Sequence, residues 1–439
     1  MAHAARVIRA AVMPPGTPAV PVAIVGAGAC GLTAALTLRD AAPQGSTALS
    51  SGFIPAAGTR VQRAAGVTDD SVERFAADIQ RKAHGSAAPH LVAAYTEAIG
   101  PAIDALESRH GLTFELLDGF LYPGHTVRRM HTLPQRSGAA LIAALDSAAQ
   151  AAGAALLTEA LVRELWVDAE DRVLGLGFRR PDDSMEHLAC RGVVLACNGF
   201  GGNAAMVRDW LPVMRDAVFA GHVGNDGSAI AWGRALGAQL ADLGGYQGHG
   251  SWAVPHGVLV TWALMMEGGI QINALGKRFH DERVGYSEAS VQVLAQQSGI
   301  AWNVLDDRLL ALGRTFPDFL AAESAGAIRC AHDAGALADI VGCDVATLAA
   351  TLRGTGLRAP YHAIKVTGAL FHTQGGLAID AGCRVQRADG TTMPNLLAAG
   401  GAARGVSGNA VWGYLSGNGL LSAVAGGFIA ANTAEEWFR

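Results

Sequence analysis

Gly26, Gly28 and Gly31 stand at the spacing GxGxxG in Val22-Ala-Ile-Val-Gly-Ala-Gly-Ala-Cys-Gly31. At that spacing the first glycine permits a tight turn, the second lets the backbone come up to a pyrophosphate, and the third lets helix pack on strand. Free N–H groups at the helix start then supply donors to the anion. The turn follows a buried-strand pattern, Pro21 to Val25, and precedes an Ala- and Leu-rich run, Cys30 to Asp40, so strand, turn and helix come in the order dinucleotide binding requires. Such a unit ordinarily places an acidic residue about 20 residues on, for the adenosine ribose. Here Asp40 comes too early, at a helix end, and the next acid is Asp69, so the unit passes straight to Pro43-Gln-Gly-Ser-Thr47. Either the chain has lost its second strand or the sequence omits it.

Four further segments share this small-residue chemistry. Gly45-Ser-Thr-Ala-Leu-Ser-Ser-Gly52 alternates hydroxyls and glycines and can wrap a phosphate or a ring edge with N–H and O–H donors. Gly192-Val-Val-Leu-Ala-Cys-Asn-Gly-Phe-Gly-Gly202 and Asn395-Leu-Leu-Ala-Ala-Gly-Gly401 each end a hydrophobic strand in a glycine turn that tolerates a cofactor against the backbone. Ser416-Gly-Asn-Gly-Leu420 opens a last helix at Asn418, whose free N–H groups suit a developing anion. So many glycine-rich ends in one chain favour a bound cofactor.

The elements that must position these turns read as follows. Helices are predicted over 70–83, 90–110, 138–152 and 227–236, with a Gly-, Pro- and His-rich loop over 118–134 that suits a pocket rim. Strands are predicted over 154–157, 161–167, 173–179 and 192–196. Between Gly244 and Leu370 the spacing becomes irregular, and strands return from Gly375. The chain has 439 residues, half of them hydrophobic and few aromatic, which suits helices on a parallel sheet. A net charge of −5 with scattered signs argues against nucleic acid as partner. The six cysteines show neither CxxC nor zinc spacing, so they read as reduced thiols, and no metal site is expected. The most apolar stretch, Val258 to Met266, is too short for a membrane span, and the first twenty residues lack the apolar core of a signal peptide. A cytoplasmic location is expected.

Taken together, the nucleotide turn, GSTALSSG, VVLACNGFGGN, GGIQINALGKRF with Asp281-Glu282, HTQGGLAID, and LLAAGG followed by SGNGL resemble the FAD-dependent family of fumarate reductase and succinate dehydrogenase flavoproteins and 3-ketosteroid dehydrogenases. The resemblance covers nearly the whole chain. It implies an α/β fold: a three-layer Rossmann-like FAD-binding domain with a mostly parallel sheet, made of residues 1–244 and 371–439, and an inserted α+β capping domain over 245–370. It implies FAD contacts at Gly26, Gly28, Ala29, Cys30, Gly31, Gly45, Ser46, Thr47, Ser50, Ser51, Gly52, Val162, Ala196, Cys197, Asn198, Gly199, His372, Gly400, Gly401, Gly417, Asn418 and Leu420. Attachment is expected to be noncovalent, because no histidine follows the glycine turn where covalent members attach flavin.

Fumarate-reducing members of the family clamp a dicarboxylate with two histidines and two arginines. One histidine is kept, His249 in Tyr246-Gln-Gly-His249; the other falls on Phe371, and the arginines fall on Tyr286 and Tyr414. A dicarboxylate in a dry pocket without cations would lose several kcal/mol per ion to desolvation. Tyrosines at these places resemble the 3-ketosteroid dehydrogenase pattern, which implies Tyr286 as general acid/base and Tyr414 as the group polarising a carbonyl. His249, Phe371, Tyr122 and Asn418 are the candidate substrate contacts, Asn418 standing where those enzymes use a glycine donor. Trp252, Trp262, Met265 and Met266 read as cap core, and His125 as rim.

The expected function is oxidation or reduction of the bond α,β to the carbonyl of a largely apolar, steroid-like ketone, with a separate electron carrier or acceptor. An alternative is an ene reductase of a carboxylate, with Arg128, Arg129 or Arg283 as counter-charge. A degenerate relative without activity is the third reading.

Overall fold

A run of apolar residues closed by glycine recurs at three places in the chain, and the three come together in one sheet. The computed structural model describes residues 5–38, 46–118 and 121–438. Its strand Ala19–Val25 runs parallel to Met185–Leu195, with Val25 opposite Leu195, and Thr392–Ala398 lies parallel on the same strand, with Ala398 opposite Leu195. Because the three are parallel and in step, the turns at Gly26, Ala196 and Ala399 leave the sheet side by side, where α/β folds bind ligands. Leu161–Val167, Val173–Arg179 and Arg384–Gln386 extend this sheet by antiparallel pairing, so it is mixed around a parallel centre.

Two helices pack beneath the turns, Ala29–Leu38 and Asn418–Ala434. Small residues set their distance: a Cβ on Gly427 would lie 2.4 Å from the Cys30 carbonyl oxygen, and one on Gly31 would lie 1.9 Å from that of Gly26. Pro89–His110 and Gly138–Ala151 flank this pair.

The second sheet is organised by the thirteen-residue strand Tyr361–Thr373. Tyr246–Ala253 and Ile300–Asp306 pair antiparallel with it, and the helix Tyr286–Leu294 packs across it and Tyr246–Ala253. Trp262, Ile272, Val304, Phe319 and Ile364 bury a core of their own beside it. No single described helix is long and apolar enough to cross a membrane.

Two local expectations are corrected, and one strand was not expected. Residues 154–157 form no strand: Leu157 is exposed and the segment joins no ladder. The loop over 118–134 contains the buried strand Met130–Thr132, paired with Ile54–Pro55 and Glu115–Leu116. An unpredicted strand, Arg6–Arg9, runs parallel to Leu161–Val167; with charge at both ends it carries no strand alternation. Among the described strands Ala19–Val25 pairs only with Met185–Leu195, so none follows its helix into the slot a ribose strand would take. Asp40 and Gly45 lie outside the described residues.

Candidate active site

The three strand ends and the second sheet line a cavity that is partly open to solvent. One end is glycine and small polar residues: Gly26, Gly28, Ala29, Thr47, Ser50 to Gly52, Ala196 to Asn198, Gly400 and Gly401. Gly26 has φ +108°, and a Cβ there would lie 2.5 Å from the Ala196 carbonyl oxygen, so the turn has no room for another residue. At Gly28 a Cβ would project into the cavity, with only the Thr47 hydroxyl near, at 3.8 Å. That open, donor-lined cradle fits the pyrophosphate and ring of FAD. The N-terminus of Asn418–Ala434, with Gly417, Gly419 and Leu420 lining, adds the positive end of a seventeen-residue helix.

The other end is aromatic. Tyr286, the first residue of its helix, stacks on His249 with ring centres 4.9 Å apart, and Tyr414 meets Tyr286 edge-on at 6.1 Å. Burial pushes the Tyr286 phenol up to about 12, against the opposing pull of hydrogen bonding with Ser416 and Tyr414. Burial also raises Tyr414 well above the usual phenol range. The Tyr414 hydroxyl oxygen accepts the Gly419 N–H at 3.3 Å. The glycine donor beside this tyrosine is thus Gly419, one residue beyond the expected position.

His249 is neutral, because burial pushes it down to about 3. Its Nδ1 accepts the Ser251 backbone N–H at 3.1 Å, and a backbone N–H can only donate. The imidazole proton therefore sits on Nε2, making His249 an uncharged donor in the cavity wall. Phe371, Trp262, Tyr122 and Phe53 complete the wall.

Charge is absent from that wall: among the described lining residues there is no Lys, Arg, Asp or Glu. Arg129 is buried between two carboxylates, its Nε and Nη2 donating to Asp70 at 3.0 and 2.6 Å and its Nη1 to Asp78 at 2.5 Å. Arg128 pairs with Asp118, and Arg283, largely exposed, pairs with Asp281. All three candidate counter-charges are engaged elsewhere.

Of the substrate contacts expected from sequence, His249, Phe371 and Tyr122 line the cavity. Asn418 does not: it is fully buried behind the wall and its Nδ2 donates to the Ser407 hydroxyl at 3.0 Å. Among the expected cofactor contacts, Gly31, Val162, Gly199 and Asn418 are not lining residues, while Cys30, His372 and the other expected contacts whose side chains are described are. Gly31 serves helix packing, and Gly199 abuts Thr373. Trp262, read from sequence as cap core, faces the cavity and stands edge-on to His249 at 5.7 Å. Thr261, Gln247 and Gln374 were missed, with only the neighbouring His249 and His372 to signal them, and Ser416 was read only as the start of the last helix's motif.

A family model described as FAD binding domain matches residues 21–420. The NADH:fumarate oxidoreductase of Klebsiella pneumoniae is 27% identical over 452 residues, covering 95% of this chain and 48% of that protein, so the chain spans about half of that relative's length. The open conformation of a flavocytochrome c3 fumarate reductase superposes with a TM-score of 0.81 at 25% identity, covering 96% of this chain and 79% of the other. The 3-ketosteroid-Δ4-(5α)-dehydrogenase of Rhodococcus jostii RHA1, in complex with 4-androstene-3,17-dione, shares the fold with a TM-score of 0.74 at 22% identity, covering 97% and 99%.

Proposed function

Since the chain belongs to the family of FAD binding domains and is an FAD-dependent oxidoreductase, we propose that it acts on the carbon–carbon bond α,β to the carbonyl of a largely apolar ketone. Noncovalently bound FAD supplies the hydride acceptor or donor, and a separate carrier exchanges electrons with it. The division into FAD-binding segments 1–244 and 371–439 around a cap of 245–370 belongs to the same proposal.

The observation that carries this reading is the uncharged wall. A carboxylate placed against His249, Phe371, Tyr286 and Tyr414 would find neutral donors and no cation, at a cost of several kcal/mol. A ketone loses little on entering and needs one or two donors for its oxygen. Tyr414, whose hydroxyl accepts the Gly419 N–H, holds that oxygen in this reading as its negative character grows. Tyr286 takes or returns the proton at the neighbouring carbon. The aromatic rings and His249 exclude water and cover the apolar body of the substrate.

The purified protein is expected to be yellow, to bleach on reduction, and to release its flavin to the supernatant on acid precipitation. With a dye as electron acceptor or donor, steroid-like and other cyclic ketones and enones should turn over, and acrylate-type acids should not. Rapid turnover of the acids, with none of the ketones, overturns the substrate class. A colourless protein is the result expected of a degenerate relative.

A further inference from the structure

The buried Asp70–Arg129–Asp78 cluster has no part in the chemistry above, yet it leads to the reacting pair through one histidine. Arg129 Nη1 also donates to His125 Nδ1 at 3.2 Å. A guanidinium has no acceptor, so Nδ1 must accept and the imidazole proton must sit on Nε2. That Nε2–H donates to the Ser416 backbone oxygen at 2.8 Å. Ser416 lies two residues beyond Tyr414 and lines the same cavity as Tyr286, its side chain pulling the Tyr286 phenol downward against burial. Asp78 also accepts the Thr126 N–H at 3.0 Å, which anchors the loop next to His125. Arg129, Asp78, His125 and Ser416 are all buried, so water offers no substitute partner.

We propose that Arg129 and His125 are positioning residues: the ion cluster locks His125 in its Nε2–H form, and His125 pins the turn that holds Tyr414 and Ser416 against Tyr286. The effect on turnover rests on the proposed role of Tyr286; the pinning of the turn does not. The mechanism is geometric, since the guanidinium, clamped by two carboxylates, fixes the ring's proton and direction, and a rigid donor fixes the Ser416 carbonyl.

The test compares His125→Phe, which keeps the ring volume and removes the donor, with His125→Gln, whose amide can accept from Arg129 and donate to Ser416. Amide hydrogen exchange of residues 415–419 in the flavin-loaded enzyme should quicken about tenfold or more in H125F and stay near wild type in H125Q. In H125F, kcat should fall about tenfold to a hundredfold with KM and the flavin spectrum little changed, and the alkaline limb of the kcat–pH profile should move upward; H125Q should restore both. Unchanged exchange in H125F, or equal quickening in both variants, overturns the positioning role. Tyr286→Phe, measured alongside, tests the catalytic reading separately: were it to keep wild-type turnover, that reading fails, and the exchange data still decide the role of His125.

Discussion

Replacing Tyr286 with phenylalanine removes one oxygen from the aromatic end of the cavity and leaves its shape intact. The ring keeps its stack on His249 and its edge contact with Tyr414. The loss to stability is that of one buried hydrogen-bonding group, about 1 kcal/mol, shared between Ser416 and Tyr414. The loss to catalysis is that of a general acid/base, about 10²- to 10⁴-fold, or roughly 3 to 5 kcal/mol in the barrier. Thermal or urea unfolding should barely change while turnover nearly disappears. The pH dependence carries a second, independent signature. With the phenol pushed up to about 12, the wild-type rate of dehydrogenation should rise with pH through the accessible alkaline range, because the base is the phenolate. In the reductive direction the neutral phenol is the donor, so proton supply should be flat near neutrality. The variant should lose the alkaline rise. Stopped-flow reduction of bound flavin by a saturated cyclic ketone, from pH 6 to pH 10, reads both. An unaltered rate, or an unaltered slope with pH, refutes the assignment of Tyr286.

Gly26→Ala forces a side chain onto φ +108° and against the Ala196 carbonyl oxygen at 2.5 Å, so the protein should lose its flavin colour and about 2 kcal/mol or more of stability, seen by absorbance and urea unfolding. Arg129→Met leaves the buried Asp70 carboxylate without its cation, and leaves Asp78, which the Thr126 N–H, Arg129 and Arg81 hold below the usual range against desolvation, with Arg81 alone; unfolding free energy should drop by about 3 to 5 kcal/mol. His125, His131 and His249 are pushed by burial down to about 4, 4 and 3, so the unfolded chain binds more protons below its own histidine pKa. Stability should therefore be full above about pH 6.5 and fall as pH drops toward 4, by roughly 1.4 kcal/mol per unit for each histidine, as read from urea midpoints at each pH. A stability curve flat from pH 7 to pH 4 contradicts the buried, neutral state of these rings.

The nucleotide turn was legible because its information is local: glycine spacing between an apolar strand and an Ala-rich helix limits the backbone to one path. The helix over 138–152, and the strands over 161–167 and 173–179, were equally plain from periodicity. Residues 154–157 misled because a short apolar run, Ala-Ala-Leu-Leu, says nothing about whether a partner strand lies alongside. Tyr286 and Tyr414 could be named from motif positions, but not their contact across 128 intervening sequence steps, nor the Gly419 N–H between them and the helix.

What the residues alone determined, then, was the chemistry on offer: a phosphate-binding turn, two phenols where cations would otherwise be expected, and one histidine kept beside them. Which of these groups face one another was decided by the tertiary structure. It turned Asn418 away, brought Trp262 and Thr261 to the cavity, and spent the charge of Arg129 on Asp70 and Asp78. The physical reason is range. Backbone conformation follows from neighbours a few residues apart, whereas the charge state and direction of a buried side chain depend on desolvation and on partners that only folding brings within 3 Å.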